Sequence, residues 1–303
     1  MIPVDWVSIA VISTTVLGMV NIIDSHLISR RMPSLRAFLL PASIISLVYG
    51  LVIFCLFPLP DDIGIWPLMV TVASGIARTI ALFILLYTLK MEEVSRVIPM
   101  TSTYPVFVAI IAVPLLGETL NYLQWIAIII VVAGAAIVST RRSPSGSTTW
   151  LGRAFFLLVG SSLLMAVANV ATKYALDYMS FWNMYCITIF CMSGIFMLIS
   201  LRPRILKELS NMKRRNSAIT LLALNEILVV AGIVSLFWAM EKGPVSLVST
   251  IASSRPIFVV IYAIILSRTS PMFLEWHTGK AMLALRLIAI AMIVGGIAII
   301  YLT

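Results

Sequence analysis

A chain of 303 residues with 61% hydrophobic residues, 11% charged residues and a mean hydropathy of +1.09 excludes an ordinary soluble domain, where about a quarter of residues are charged. Its formal net charge of +9, from 21 Lys and Arg against 12 Asp and Glu, could by itself point to nucleic acid. The placement of those charges along the chain points to a bilayer instead.

Apolar runs near the length a helix needs to cross a membrane predict ten spans: 5–28, 36–57, 66–89, 94–115, 121–140, 151–176, 181–201, 217–240, 244–267 and 282–302. The first lacks a basic n-region and is long enough to span, so it reads as a membrane helix and not a cleavable leader. Between the spans lie breaks with turn chemistry: RRMPS, PLPDD, GETLN, RRSPSGS, MSFWN and EKGP. Little sequence is left for a separate catalytic or ligand-binding domain. Cys55, Cys186 and Cys191 lie in apolar runs without metal-ligand spacing and read as packed thiols. His26 and His277 are the only histidines and are unpaired in sequence, so neither a metal nor a cofactor is expected.

Seventeen of the 21 Lys and Arg fall in connections after odd-numbered spans or at the adjoining helix ends. Lys242 alone follows an even-numbered span, and Arg78, Lys173 and Arg255 are inside spans. The positive-inside rule then puts odd-numbered connections in the cytoplasm and both termini outside, for a multi-pass protein of the cell membrane. The basic loops are a topology signal, not a nucleic-acid surface, and can also meet anionic lipid headgroups. In the last connection, SPMFLEWHTGK (270–280) reads as an interfacial segment with Trp276 at the headgroup level. A cytoplasmic gate is the sharper alternative there.

The chain also matches itself. VSRVIPMTSTYPVF (94–107) aligns without gaps to VSLVSTIASSRPIF (245–258), an offset of 151, with Ser102 on Ser253, Pro105 on Pro256 and Tyr104 on Arg255. A weaker match at offset 148 sets VNIIDSHLIS (20–29) on ANVATKYALD (168–177), with Asn21 on Asn169 and Asp24 on Thr172. The fold expected is all-α and integral to the membrane, ten transmembrane helices in two five-helix repeats: residues 1–142 and 150–303, joined by a linker at 143–149. An odd number of helices per repeat inverts the second copy, a common plan for secondary transporters, whose substrate sits at the repeat interface near the midplane.

EVSRVIPMTSTYPVFVAIIAVPLLGETLNYLQWIAIIIVVAGAAIVS (93–139) resembles the EamA type of the drug/metabolite transporter superfamily: a small-residue-rich helix with Pro105-x-Phe107, a Gly117-Glu118 turn, and a Gly-containing helix after Gln124-Trp125. The resemblance covers essentially the whole chain. It implies that the third, fourth, eighth and ninth spans line a central cavity, bringing Arg78, Tyr104, Glu226 and Arg255 around one space, and it suggests export. The second half departs from the pattern, with Arg268 and Thr269 where Gly117 and Glu118 stand. Glu118 reads as a turn carboxylate outside the hydrocarbon.

An ionisable group at a helix centre costs at least roughly 2.5–3.5 kcal/mol on insertion scales and normally faces a wet cavity or a partner. Arg78, Glu226 and Arg255 are deep, while Asp24 and Lys173 lie in the last third of their spans. At offset 151, Gly75 falls on Glu226 and Ser74 on Asn225. Two readings stay open: Glu226 pairs with an arginine and staples the halves, or Arg78 or Arg255 grips a carboxylate through its planar fork. One carboxylate cannot fully neutralise two arginines. Tyr104, Asn225, Asn21 and Asn169 are further candidate substrate contacts; Glu226 and Asp24 are candidate proton carriers; Lys173 is expected to snorkel to the interface. Pro256 is expected to free carbonyls near Ala252, as tolerated where backbone lines a cavity.

The function expected is a secondary transporter, not an enzyme, for a small polar or amphiphilic metabolite such as an amino acid or another carboxylate, possible coupling being to protons since no Walker motif is present. A phosphorylated substrate, such as a nucleotide sugar or lipid-linked phosphate, is the alternative within the class. From other classes, an intramembrane enzyme would need a nucleophile–base or metal constellation, and a membrane scaffold would have little reason to keep three deep charges. The expected partners are a small-molecule substrate and the lipid bilayer.

Overall fold

The computed structural model describes residues 5–60, 63–88, 101–139, 153–212, 215–269 and 280–303. The described residues are helical throughout, apart from caps and short connections. In chain order the helices are α1 (Trp6–His26, continued by a π-turn at Leu27–Arg31), α2 (Leu35–Leu56), α3 (Ile65–Thr88), α4 (Tyr104–Leu116), α5 (Tyr122–Ser139), α6 (Arg153–Leu176), α7 (Phe181–Ser200), α8 (Pro203–Ser210), α9 (Arg215–Lys242), α10 (Val245–Ser253), α11 (Arg255–Thr269) and α12 (Lys280–Leu302).

Seven segments of the described residues are long and apolar enough to cross a membrane, and Tyr104–Leu116, Tyr122–Ile137 and Leu287–Leu302 are shorter apolar helices. The chain is an all-α, multi-spanning membrane protein. Helices suit this solvent because they satisfy every backbone polar group internally. Large side chains such as Val52, Ile65, Ile129, Leu198 and Val294 stay exposed on the outside, as a hydrocarbon surround permits.

Local chemistry sets the helix ends. Ser34 and Ser180 cap α2 and α7 by accepting from the N–H groups of Ala37 and Asn183, while Asn121 and Gln124 cap α5 reciprocally. Gly117 stops α4 in the left-handed region at φ 68°, where a side chain is disfavoured. The helix α8 was not among the expected spans. It is short and amphipathic: Ile205 is buried against Ala37 and Leu40, Arg204 and Lys207 point outward, and Ser34 donates to Glu208 at 2.9 Å. That is the pattern of a helix lying in the interface plane.

The tightest packing pairs α1 with α9, α3 with α6, α2 with α7 and α5 with α12. Close approach needs small residues. Gly134 of α5 and Gly296 of α12 have each other's helices within 3 Å of where a Cβ would stand. Gly232 of α9 leaves no room for a Cβ beside Leu17 of α1, and Ser13 donates to its carbonyl at 2.7 Å. At the α3–α6 crossing, Ser161 donates to the Ala81 carbonyl at 2.8 Å. Inside this frame stands α10, packed by α1, α4 and α5 and buried at every residue from Val245 to Ser253.

Two expectations need correction. The ninth span is two helices, broken at Ser254, because Pro256 has no N–H to continue the ladder. Cys55 is exposed, not packed, while Cys186 is buried and Cys191 half-buried. The start of the fourth span and the segment around Trp276 lie outside the described residues.

Candidate functional site

The break at Ser254 organises the centre. Ser254 has φ −75° and ψ 0°, and Ile257 N–H donates to its carbonyl at 2.9 Å. Thr103, before α4, has φ −84° and ψ −9°, and Val106 N–H donates to its carbonyl at 3.1 Å. The residue after each turn is Arg255 or Tyr104, followed by proline. The carbonyls ahead of the break do not go wanting: Ser253 donates to Thr250 O at 2.7 Å and Ser254 to Ile251 O at 2.6 Å. Both hydroxyls turn back onto carbonyls of the preceding turn, while the carbonyl that Pro256 deprives of its helical donor is that of Ala252.

Around this break gather Arg78 from α3, Tyr104 from α4, Asn169 and Thr172 from α6, and Ser249 and Arg255 from α10 and α11. Arg78 is tightly held. Its Nη2 donates to Asn169 Oδ1 at 2.8 Å and to Thr172 Oγ1 at 3.2 Å, and its Cζ lies 5.3 Å from the centroid of the Phe237 ring, within cation–π range. Asn169 Nδ2 donates to Ser249 Oγ at 3.2 Å, and Tyr104 OH donates to the Ser249 carbonyl at 3.1 Å. Arg255 differs. It is half-buried, lies within electrostatic reach of both Tyr104 and Arg78, and makes no hydrogen bond among the described residues; its Nε is enclosed without a partner. A guanidinium has five donors and no acceptor.

Glu226 is elsewhere. It is 6% exposed and accepts from Ser46 of α2 at 2.6 Å. Among the described residues it forms no ion pair with Arg78 or Arg255, so it does not staple the halves through an arginine. Its charged neighbour is Asp24 of α1, which accepts from Asn225 Nδ2 at 2.7 Å. Acid and base thus occupy different helix crossings: Asp24, Asn225 and Glu226 at α1–α9, and Arg78, Asn169 and Thr172 at α3–α6. The position aligned with Glu226 is Gly75, where a Cβ would come 3.1 Å from Cys191. A side chain at Gly75 would crowd Cys191, whereas Glu226 has Ser46 beside it. Asn21 joins neither group; it is exposed and makes no hydrogen bond among the described residues.

Two polar side chains do work that their surroundings in sequence did not announce. Glu118 reaches from the turn after α4 to the start of α10, accepting from the N–H groups of Val245 and Ser246 and from the Ser246 hydroxyl. A carboxylate there meets the positive end of the helix dipole. Lys173 does not snorkel; it donates to the last carbonyls of α9, Met240 O at 2.8 Å and Glu241 O at 3.1 Å. Thr172 and Ser74 were legible as the residues aligned with Asp24 and Asn225. Ser46, Tyr185 and Ser249 carried no signal, since hydroxyls are scattered along these spans.

A comparison with curated proteins finds no match. Among solved structures, a crystal structure of a protein 16% identical in sequence superposes with a TM-score of 0.69, covering 98% of this chain and 95% of that one, a likeness of fold. The model of the EamA-like transporter family matches residues 5–140 and again residues 152–302. By those two matches, on a membrane-embedded helical fold, the chain belongs to the EamA-like transporter family of secondary transporters, not enzymes.

Proposed function

We propose that the chain carries a small polar or amphiphilic metabolite bearing a carboxylate, such as an amino acid, across the cell membrane by alternating access of two inverted five-helix repeats, 1–142 and 150–303. The observation that carries the substrate reading is Arg255: a guanidinium without a hydrogen-bond partner among the described residues, next to Tyr104 and Arg78. Arg78 is already engaged by Asn169, Thr172 and Phe237, which leaves Arg255 the unengaged arginine here among the described residues and favours a single carboxylate over a phosphate. Asn169 and Tyr104 border the same space, and Asn225 and Glu226 belong to the coupling side. Asn21, being exposed, contributes at most on entry or exit.

The repeat reading is supported by contacts that recur at the offsets found in sequence. Ser13 on Gly232 recurs as Ser161 on Ala81, Asp24 with Asn225 as Thr172 with Ser74, and the Thr103 turn as the Ser254 turn. The two separate family matches agree with it. The distribution of Lys and Arg supports cytoplasmic odd-numbered connections and external termini.

Coupling is assigned to Asp24 and Glu226. These carboxylates have no cationic partner among the described residues, so moving charge in and out of their cluster needs a cation, in the simplest case a proton. The test is a binding screen of amino acids, other carboxylates and phosphorylated metabolites against purified protein, followed by accumulation in proteoliposomes under an imposed H⁺ gradient and, separately, an imposed Na⁺ gradient. Arg255→Ala is expected to lose binding and Glu226→Gln to lose accumulation. Wild-type activity in both variants overturns the reading.

A further inference from the structure

Two carboxylates share the α1–α9 crossing with more oxygen than a proton can serve. Glu226 is 6% exposed, and its Oε2 takes one hydrogen bond from Ser46. Asp24 is half-buried and takes one from Asn225. Asn225 is 1% exposed, and with its Nδ2 committed to Asp24 its Oδ1 has no partner. Tyr185 of α7 is 1% exposed, stands within electrostatic reach of Glu226, and its hydroxyl has no partner either. An unpartnered polar atom in a protein interior forfeits about 1–3 kcal/mol; one belongs here to Asn225, which holds Asp24, and the other to Tyr185, within electrostatic reach of Glu226.

We propose that Asp24, Glu226, Ser46, Asn225 and Tyr185 form a site for an alkali cation, Na⁺ before others, at the α1–α9 crossing and apart from Arg255. The ligand chemistry is that of a hard cation: carboxylate, amide and hydroxyl oxygens, with no nitrogen or sulfur donor among the five. A proton would neutralise one carboxylate and leave Asn225 Oδ1 bare. A cation neutralises charge and engages carboxylate, amide and hydroxyl oxygens together. Asp24 is half-buried, while Glu226 and Tyr185 are buried. The site also has no counterpart in the other half. There Gly75 replaces Glu226 and Thr172 replaces Asp24, and Ser74 and Thr172 satisfy each other at 2.9 Å. One cation per protein is the expected stoichiometry.

This inference rests on the coupling role given above to Asp24 and Glu226, and names the ion. The test is equilibrium binding of radiolabelled Na⁺ to the purified protein at fixed pH in choline chloride, with no substrate added. Saturable binding is expected, lost in Asp24→Asn and Glu226→Gln. Tyr185→Phe removes a single oxygen from the cluster, keeps the buried ring, and is expected to weaken Na⁺ binding about tenfold. It serves where the carboxylate variants fail to fold. Wild-type protein that binds no Na⁺, or variants that bind it as the wild type does, overturns the proposal. Because no substrate is present, the result is independent of the Arg255 reading. Arg255→Ala measured alongside is expected to keep its Na⁺ binding while losing carboxylate binding, so the two can fail separately.

Discussion

Asn225 donates to Asp24 at 2.7 Å across the α1–α9 crossing, and Ser74 and Thr172 hydrogen-bond at 2.9 Å across α3–α6. Offsets of 151 and 148 residues carry Ser74 onto Asn225 and Asp24 onto Thr172. One polar clasp is made twice, once with a carboxylate and once with a hydroxyl. Charge is then added unequally: Glu226 beside the first clasp, Arg78 beside the second. The pairing of helices is shared between the two crossings, and the chemistry is not.

The two arginines predict opposite effects on stability. Arg255→Met removes an enclosed cation that makes no hydrogen bond among the described residues, so the melting temperature of the purified protein should hold or rise. Arg78→Met strips donors from Asn169 and Thr172, and charge-assisted bonds are worth about 1.5–3 kcal/mol each. Thermal unfolding of both variants in one detergent checks the contrast. A larger loss for Arg255→Met than for Arg78→Met contradicts it.

Glu118 ties the turn after α4 to the first turn of α10. Glu118→Ala should destabilise the protein by about 1–2 kcal/mol, the size of a lost helix cap. Since Ser246 shares that contact, the double variant with Ser246→Ala should lose less than the two single losses added. Denaturation of the four proteins reads the coupling, and strict additivity would mean the contact carries no energy.

Gly232 predicts a repairable clash. A Cβ there would lie 2.5 Å from Leu17 Cδ2, so Gly232→Ala should cost about 1–3 kcal/mol by overpacking. Leu17→Ala should recover part of that in the double variant. Gly160→Ala is the control, because no atom lies within 4 Å of its would-be Cβ. Melting temperatures that rank the three otherwise would rule out a close α1–α9 approach at this point.

Topology is open to chemical labelling. In a background lacking Cys55, Cys186 and Cys191, Gly146→Cys should react with a membrane-impermeant maleimide only from the cytoplasmic face. Thr119→Cys, at an exposed position after Gly117, should react only from outside. The reverse pattern would invert the orientation drawn from the Lys and Arg count.

Membrane residence and most helix positions were legible in the residues because hydrocarbon imposes a one-dimensional rule: about 20 apolar residues for each crossing. The offset between the halves was legible too, since Ser102-x-x-Pro105 and Ser253-x-x-Pro256 are local patterns. Helix α8 escaped that rule. Its one buried side chain, Ile205, makes sense only once Ala37 and Leu40 are beside it. The break at Ser254 was foreshadowed by Pro256, but not that the Ser253 and Ser254 hydroxyls would turn back onto the Thr250 and Ile251 carbonyls.

By itself the sequence determined that this is a helical membrane protein whose chain matches itself at offsets of 151 and 148 residues, and that its expensive residues include Arg78, Glu226, Arg255 and Asp24. Only the tertiary structure decided which charges meet. Depth along a helix follows from position in the chain, but azimuth against a neighbour follows from how helices pack, and 100° of rotation per residue sends adjacent side chains to different partners. Packing therefore turned Glu226 toward Ser46 and away from the arginines, gave Arg78 its partners in α6, and left Arg255 with none among the described residues.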